Sequence, residues 1–445
     1  MNVAARLTGF AFEHAVRALA GVLPAGAPAD RGLSEYFRAN PKLGSGDRAM
    51  IAETVYAVLR NRRSLAIGAG SEYPRELALA ALARVRGLNL KQFEHVLRAD
   101  EAALVARVKA MVLEDLPEPI RYDLPDWLWA ALVVERGAQE AARLAQALKA
   151  AAPLTLRVNL IKATREEAII RLAESDILVK PTRYSPHGLI VEGKPSLQRH
   201  PLFLEGIVEV QDEGSQLLAE LVAPRRGEMV ADFCAGAGGK TLALGALMRS
   251  SGRLYAFDVS AARLAKLKPR LARSGLSNVH PVRIESENDL RVKRLAGKLD
   301  RVLVDAPCSG LGTLKRNPEL KWRQMPEDVV ELAAKQLAIL GGAARLVKPG
   351  GTLVYATCSL LRAENATVVE QFLAAHPDFR TVAARGVLAR RGIELDTPAT
   401  RSNCCRTRMA LTGFTRWCWS VSNDGTRAGC LAPGAASAAW ERRCA

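Results

Sequence analysis

The hydrophobic rhythm of the chain changes near residue 229. Downstream of it, short aliphatic and β-branched runs at 229–233, 253–258, 279–284, 301–304 and 351–357 are each too brief for a helix and predict buried strands. Between them lie longer stretches read as helices, one from about 240, one ending near 271, and one over 327–346 that stops at a Lys348-Pro349-Gly350-Gly351 turn. Strand–helix alternation of this kind predicts a mainly parallel sheet covered on both faces.

Upstream the pattern is helical. Ile51, Val55, Val58 and Leu59 recur at helical spacing, with Asp47 placed as a possible N-cap. Leu77, Leu79, Leu82 and Val85 predict a second helix after Pro74, stopping near Gly87. Pro117 and Pro119 mark a boundary, followed by further helix through 140–148. A strand-like run at 154–159, a capping-box signature from Thr164 to Glu167, and runs at 188–191 and 206–210 then describe a small α+β module. The expected domains are an all-helical 1–118, an α+β subdomain 119–222, an α/β domain 223–398 and a tail 399–445.

Charge adds a partner class. The 445 residues carry a net charge of +17, which points to a polyanion, nucleic acid before an anionic membrane surface. Arg60, Arg62, Arg63, Arg84, Arg86 and Lys91 border the N-terminal helices and read equally as solvated charge or as an RNA-facing surface. Aromatics make up 5%, too few for a broad base-stacking platform. No run of about 18 uncharged apolar residues predicts a membrane span. The interrupted apolar N-terminus reads as a helix of the mature protein, so a cytoplasmic, monomeric protein is expected. Eight cysteines include no CxxC pair, so no metal site is expected and the thiols should be free.

Three motifs carry chemistry. Asp232-Phe233-Cys234-Ala235-Gly236-Ala237-Gly238-Gly239-Lys240-Thr241 joins a strand to a helix, where glycines let backbone approach a ligand at a helix N-terminus. It fails the P-loop pattern because Cys234 replaces the first glycine, and the strict dinucleotide pattern because Thr241 replaces the last. Asp258 closes the next strand, where a carboxylate accepts from ribose hydroxyls. Together they fit an adenosyl ligand without separating NAD from S-adenosylmethionine. The second motif, Asp305-Ala306-Pro307-Cys308-Ser309-Gly310, ends a strand with an acid and presents a thiol; alone it reads as well as a capping Asp with an inert Cys. The third, Ala356-Thr357-Cys358-Ser359, places another thiol at a neighbouring strand end. A nucleophilic thiol needs a lowered pKa, which nearby cations or the helix after Ser359 would supply.

DFCAGAGGKT, DAPCSG and ATCS, in that order, resemble the Sun-type (RsmB) RNA cytosine-5 methyltransferases of the Nop/Sun family, and Lys321-Trp322 matches the family's Lys-Trp after the fourth strand. The clear resemblance spans about 154–379. Asp47-Arg48-Ala49 and the run from Glu53 to Arg60 are similar to the NusB-like RNA-binding domain of bacterial members. The resemblance implies a Rossmann-like S-adenosylmethionine methyltransferase sheet (α/β), preceded by the helical domain and a small RNA-binding α+β module. It implies Cys358 as nucleophile, Cys308 assisting product release, and Asp305 holding the cytosine. It implies cofactor contacts from Cys234, Ala235, Gly236, Ala237, Gly238, Gly239 and Lys240, from Asp258 and Asp305, and from a residue after the third strand. Family members carry an Asp there; within Glu285-Ser286-Glu287-Asn288-Asp289 the expected one is Asp289. Gly236-Ala237 stands where most members have Ala-Pro. The implied substrate is small-subunit (16S) ribosomal RNA. The alternatives are a transfer RNA cytosine-5 methyltransferase and a catalytically silent RNA-binding or ribosome-assembly protein.

The tail departs from this pattern. Residues 399–445 hold five of the eight cysteines, three of the six tryptophans and seven Arg against Asp424 and Glu441, without evident strand alternation. Ser402 to Met409 can be encoded by nucleotides that, read one base earlier, give QQLLPHAHG, and continuing through Val421 can give TDGFYAVVLER, which resembles the family's ending LLPHxHGTDGF. The expectation is a frameshifted remnant that lacks the edge strands of the sheet; a genuine basic, cysteine-rich extension is the alternative.

Overall fold

A computed structural model of the chain describes residues 7–24, 28–193, 195–395, 407–411 and 414–423, the last two segments as backbone. The strands in chain order are β1 Thr155–Val158, β2 Val179–Pro181, β3 Gly188–Val191, β4 Val208–Val210, β5 Met229–Asp232, β6 Arg253–Asp258, β7 Val279–Arg283, β8 Leu299–Asp305, β9 Val347–Thr357, β10 Phe379–Val382, β11 Thr407–Leu411 and β12 Phe414–Asn423. The predicted alternation is present: β7-β6-β5-β8-β9 form a parallel run, with helices Gly239–Leu247, Ala261–Ser274 and Pro326–Ala344 in the crossovers. Strand order reverses between β5 and β8, so the carboxyl ends of those two strands flank the crevice where such sheets bind ligands. Apolar side chains from both sheet faces are buried, Val230, Leu254, Leu303 and Val354 in one layer and Ala231, Phe257, Val302 and Tyr355 in the other.

The N-terminal domain packs around its own core of Phe12, Leu19, Ile51, Val58 and Leu77. Asp47 is not the N-cap of its helix. Helix Ser45–Ala69 is capped by Gly44, and Asp47, three residues in, accepts from the Gly44 amide at 3.3 Å, the returning half of a capping box. The helix is broken at Asn61 (φ −123°, ψ 25°). Helix Pro74–Arg84 and the Thr164 capping box stand where predicted. The α+β module is an antiparallel sheet in the order β2-β3-β1-β4 over a core of Leu156, Leu172, Leu189 and Val208. Within the expected 119–222 subdomain the packing is divided. Leu128, Trp129 and Leu144 pack on Leu311, Leu314 and Leu360, in the segments that follow Cys308 and Cys358, and Leu217 to Val222 join the core of the large sheet.

The tail differs from expectation in its backbone. β12 inserts between β9 and β10, antiparallel to both, with Trp417 opposite Thr357 and Val421 opposite Leu353; β11 pairs on it in turn. Thr415, Trp417, Trp419 and Val421 alternate with Arg416, Cys418, Ser420 and Ser422, a period-two pattern with strand-forming residues in one register. The remainder of the tail, including Cys404, Cys405, Cys430, Cys444 and Trp440, lies outside the described residues.

Candidate active site

Three acids and two thiols converge at the carboxyl ends of the parallel strands. Asp232 ends β5, Asp258 ends β6 and Asp305 ends β8. Cys308 follows β8 by three residues and Cys358 follows β9 directly. All five line one cavity of about 910 Å³, with Cys234, Ala235, Gly236, Ala237, Gly239 and Lys240 of the glycine loop. That volume is of the size that encloses a cofactor.

The loop is held from several sides. The Gly236 amide donates to Asp258 at 2.8 Å, and the Asp258 carboxylate also accepts from the Ser260 amide at 2.7 Å. Gly238 (φ +81°) turns the chain into helix Gly239–Leu247 and does not itself line the cavity. Thr241 donates to Asp232 at 2.7 Å, while the other Asp232 oxygen is buried with no partner. Burial pushes the Asp232 carboxyl up to about 6. An unmatched carboxylate oxygen beside a glycine cradle with open space at the Gly236 Cβ position fits a ligand that carries an ammonium group and an adenosyl group, as S-adenosylmethionine does. Burial raises the Cys234 thiol well above its ordinary range, so Cys234 is a neutral wall and not a nucleophile.

Lys240 forms an ion pair with Asp305 in the cavity wall. The Cys308 and Cys358 sulfurs are 3.1 Å apart, and the Cys358 amide donates to the Cys308 sulfur at 3.2 Å. The hydrogen bond with Cys358, then burial, hold the Cys308 thiol above its usual range. No helix begins at Ser359: a short 3-10 turn at Arg362–Glu364 intervenes before helix Ala366–Ala375, so the expected helix N-terminus does not directly follow Cys358.

Asp289 sits elsewhere. It caps the short helix Leu290–Lys293, accepting from the amides of Arg291 at 2.8 Å and Glu285 at 2.9 Å, and those bonds hold its carboxyl down at about 2. Glu285, Ser286 and Glu287 are the residues of that segment that face the cavity. Lys321-Trp322 is not in the cavity wall either. Lys321 donates to the Arg60 carbonyl at 2.9 Å and Trp322 Nε1 to the Leu59 carbonyl at 2.8 Å, joining the segment after Cys308 to the broken helix of the N-terminal domain. The sequence carried no signal for several supports. Arg157, wholly buried, donates to the Gly239 carbonyl at 2.7 Å and to Gln211, and Arg270 donates to the Ala237 carbonyl at 2.6 Å while Glu209 holds Arg270 and Arg273. The α+β module thereby grips the cofactor loop from outside. Arg157 is in a strand and Arg270 on a basic helix, and nothing in their local pattern separates them from surface charge.

Against known proteins, residues 219–399 match the family described as 16S rRNA methyltransferase RsmB/F, and residues 124–198 match its ferredoxin-like domain. A protein of Synechocystis sp. described as a probable ribosomal RNA small subunit methyltransferase B is 36% identical over 322 residues, covering 72% of this chain and 70% of that protein. The chain belongs to the RsmB/F family. A relative of the same description from Bacillus subtilis is 35% identical over 57% of each chain, and the ribosomal RNA small subunit methyltransferase B of Sodalis glossinidius is 36% identical, with 61% of its length spanned. A solved structure described as a methyltransferase homolog protein from Pyrococcus horikoshii aligns with a TM-score of 0.58 at 27% identity, over 70% of this chain and all of that one. The structure described as that of PH0851 aligns at 24% identity with a TM-score of 0.74 over 94% of this chain and 99% of that one, a likeness of fold. The RsmB/F methyltransferases use S-adenosylmethionine, and the glycine loop, Asp258 and Asp232 line the cavity described above.

Proposed function

We propose that this chain methylates C5 of a cytosine in small-subunit ribosomal RNA, with Cys358 as nucleophile, Cys308 resolving the covalent adduct and Asp305 holding the base. The observation that carries the reading is the pair of sulfurs 3.1 Å apart on the same cavity as the glycine loop. Cytosine C5 is a poor nucleophile. Thiolate addition to C6 makes C5 enamine-like, and a single reactive thiol is enough for that step. The second thiol is needed afterwards. Cys308, as the thiolate once its own proton has passed to solvent, takes the proton from C5, the C5–C6 double bond re-forms, and the electron pair of the C6–S bond leaves on Cys358. S-adenosylmethionine, when bound, supplies the electrophilic sulfonium methyl. Asp305, paired with Lys240, accepts from the exocyclic amine and stabilises a protonated N3. Arg263, Arg270, Arg316 and Lys335 line the same cavity and supply positive charge for the phosphates of an unpaired or flipped nucleotide.

The test is incubation with methyl-labelled S-adenosylmethionine and ribosomal RNA lacking the modification. Label at cytosine C5 is expected from the wild type and none from Cys358→Ala, while Cys308→Ala should accumulate an RNA–protein adduct stable to denaturation. Absence of label from the wild type would favour a silent RNA-binding protein, and label on transfer RNA alone would change the substrate. An adduct that persists in Cys358→Ala would reverse the two roles.

A further inference from the structure

Directly behind the two thiols lies a second layer that the chemistry above does not use. Ser309 and Ser359, each one residue beyond a catalytic cysteine, hold their hydroxyls 3.2 Å apart and repeat the sulfur pair one step deeper. Glu364 closes this layer. It is fully buried, and its two oxygens accept from the Ser309 amide at 2.8 Å, the Ser309 hydroxyl at 2.5 Å and Gln336 Nε2 at 3.0 Å. The same Gln336 nitrogen donates to the Pro307 carbonyl at 2.9 Å. The Tyr355 hydroxyl, from β9, lies 2.7 Å from the Glu364 carbonyl oxygen. Among the described residues no Lys, Arg or His is in ion-pair range of Glu364. A carboxylate without a counter-charge is costly to bury, and structures retain one where its charge or geometry is used.

We propose that Glu364 is the positioning residue of Cys308: it fixes the Pro307–Ser309 turn, which carries that thiol, against the end of β9. Ser309 is bonded by Glu364 and Ser359, and Pro307 by Gln336, which Glu364 itself holds. The turn carries Cys308 and not Cys358, so loosening it slows resolution of the adduct more than its formation. This inference rests on the cytosine-5 reading above.

The experiment compares full-length wild type, Glu364→Gln, Ser309→Ala and Cys308→Ala with unmodified ribosomal RNA and labelled S-adenosylmethionine. It reads methyl transfer in a single turnover, the fraction of protein in covalent adduct, and the rate of adduct resolution. Glu364→Gln keeps the shape but offers one acceptor oxygen in place of two. Expected are methyl transfer within threefold of wild type and resolution slowed tenfold or more, with adduct accumulating as in Cys308→Ala. Ser309→Ala loses two of the contacts and keeps the bond from the Ser309 amide to Glu364, so it should accumulate adduct too. Equal slowing of both steps in Glu364→Gln without adduct would overturn the proposal. If Glu364→Gln fails to bind S-adenosylmethionine, Ser309→Ala alone decides, and normal resolution there also overturns the proposal. A wild type that transfers no methyl group refutes the functional reading itself, and is thereby distinguished from failure of this step.

Discussion

Two glycines of the cofactor loop make a quantitative test. Gly236 and Gly238 both have positive φ, +57° and +81°, so a side chain at either position incurs the left-handed penalty of about 1–2 kcal/mol. Their surroundings differ. A Cβ at Gly236 meets nothing within 4 Å, whereas a Cβ at Gly238 falls 2.1 Å from Leu267 Cδ1 and 3.0 Å from its Cγ. Leu267 is fully buried in the core of the large sheet, so moving it aside disturbs its packing. Overpacking of that kind adds about 1–3 kcal/mol. Gly238→Ala should therefore lose roughly 2–5 kcal/mol in urea unfolding against roughly 1–2 for Gly236→Ala. The difference isolates the clash, because the backbone penalty is common to both. Calorimetric titration with S-adenosylmethionine supplies a second readout. Relief of the clash displaces the loop whose amide holds Asp258, so affinity should fall by at least about tenfold in Gly238→Ala, equivalent to about 1.4 kcal/mol. Gly236→Ala carries the residue that most family members have and should stay within about threefold. Stabilities of the two variants within about 0.5 kcal/mol of each other, below the coupling error of independent sites, would refute the reasoning.

Three further expectations can be measured directly. Burial pushes Lys321 down to about 7, so between pH 7 and its unfolded value the unfolded chain binds the extra proton and stability rises with pH; wild type should gain on Lys321→Met by at most about 1.4 kcal/mol per pH unit there, and a loss on raising pH would contradict the burial. The sulfurs of Cys308 and Cys358 are close enough to exchange with a small disulfide such as oxidised glutathione, which is reduced to two thiols as the protein disulfide forms; activity should disappear and return with dithiothreitol, and inactivation without a Cys308–Cys358 cross-link by mass spectrometry would exclude this route. We propose that the tail is a frameshifted ending; sequencing across codons 398–425 from independent clones should recover a frame encoding TDGFYAVVLER, and an uninterrupted frame matching the present chain would rule it out.

The parallel strands and the glycine loop were legible because each is encoded locally: a run of aliphatic residues closed by an acid, or glycines between a strand and a helix. Asp289 was misplaced for the opposite reason. Sequence alone cannot say whether a loop carboxylate faces a cavity or caps the next helix, and an Asp before Leu290 that bonds the Arg291 amide is an ordinary N-cap. β12 was missed because its two tryptophans and its cysteine are atypical of the composition of the rest of the chain, although their spacing is that of a strand. Residues 417–422 pair with Thr352 to Thr357 and so cover the edge of the strand that leads to Cys358.

Lys321 and Trp322 show how a motif can be recognised before its work is understood. In an unbroken helix the Ser64 amide would bond to the Arg60 carbonyl. Here it donates to Asp123 at 2.9 Å, the helix breaks at Asn61, and the Arg60 carbonyl is left to Lys321. Trp322 takes the Leu59 carbonyl beside it, and the Arg60 side chain returns a bond to the Lys315 carbonyl at 3.1 Å. A buried carbonyl without a partner costs about 1–3 kcal/mol, so the kink and the Lys-Trp pair require each other. The segment that begins at Cys308 is thus anchored by Glu364 at one end and by the helical domain at the other.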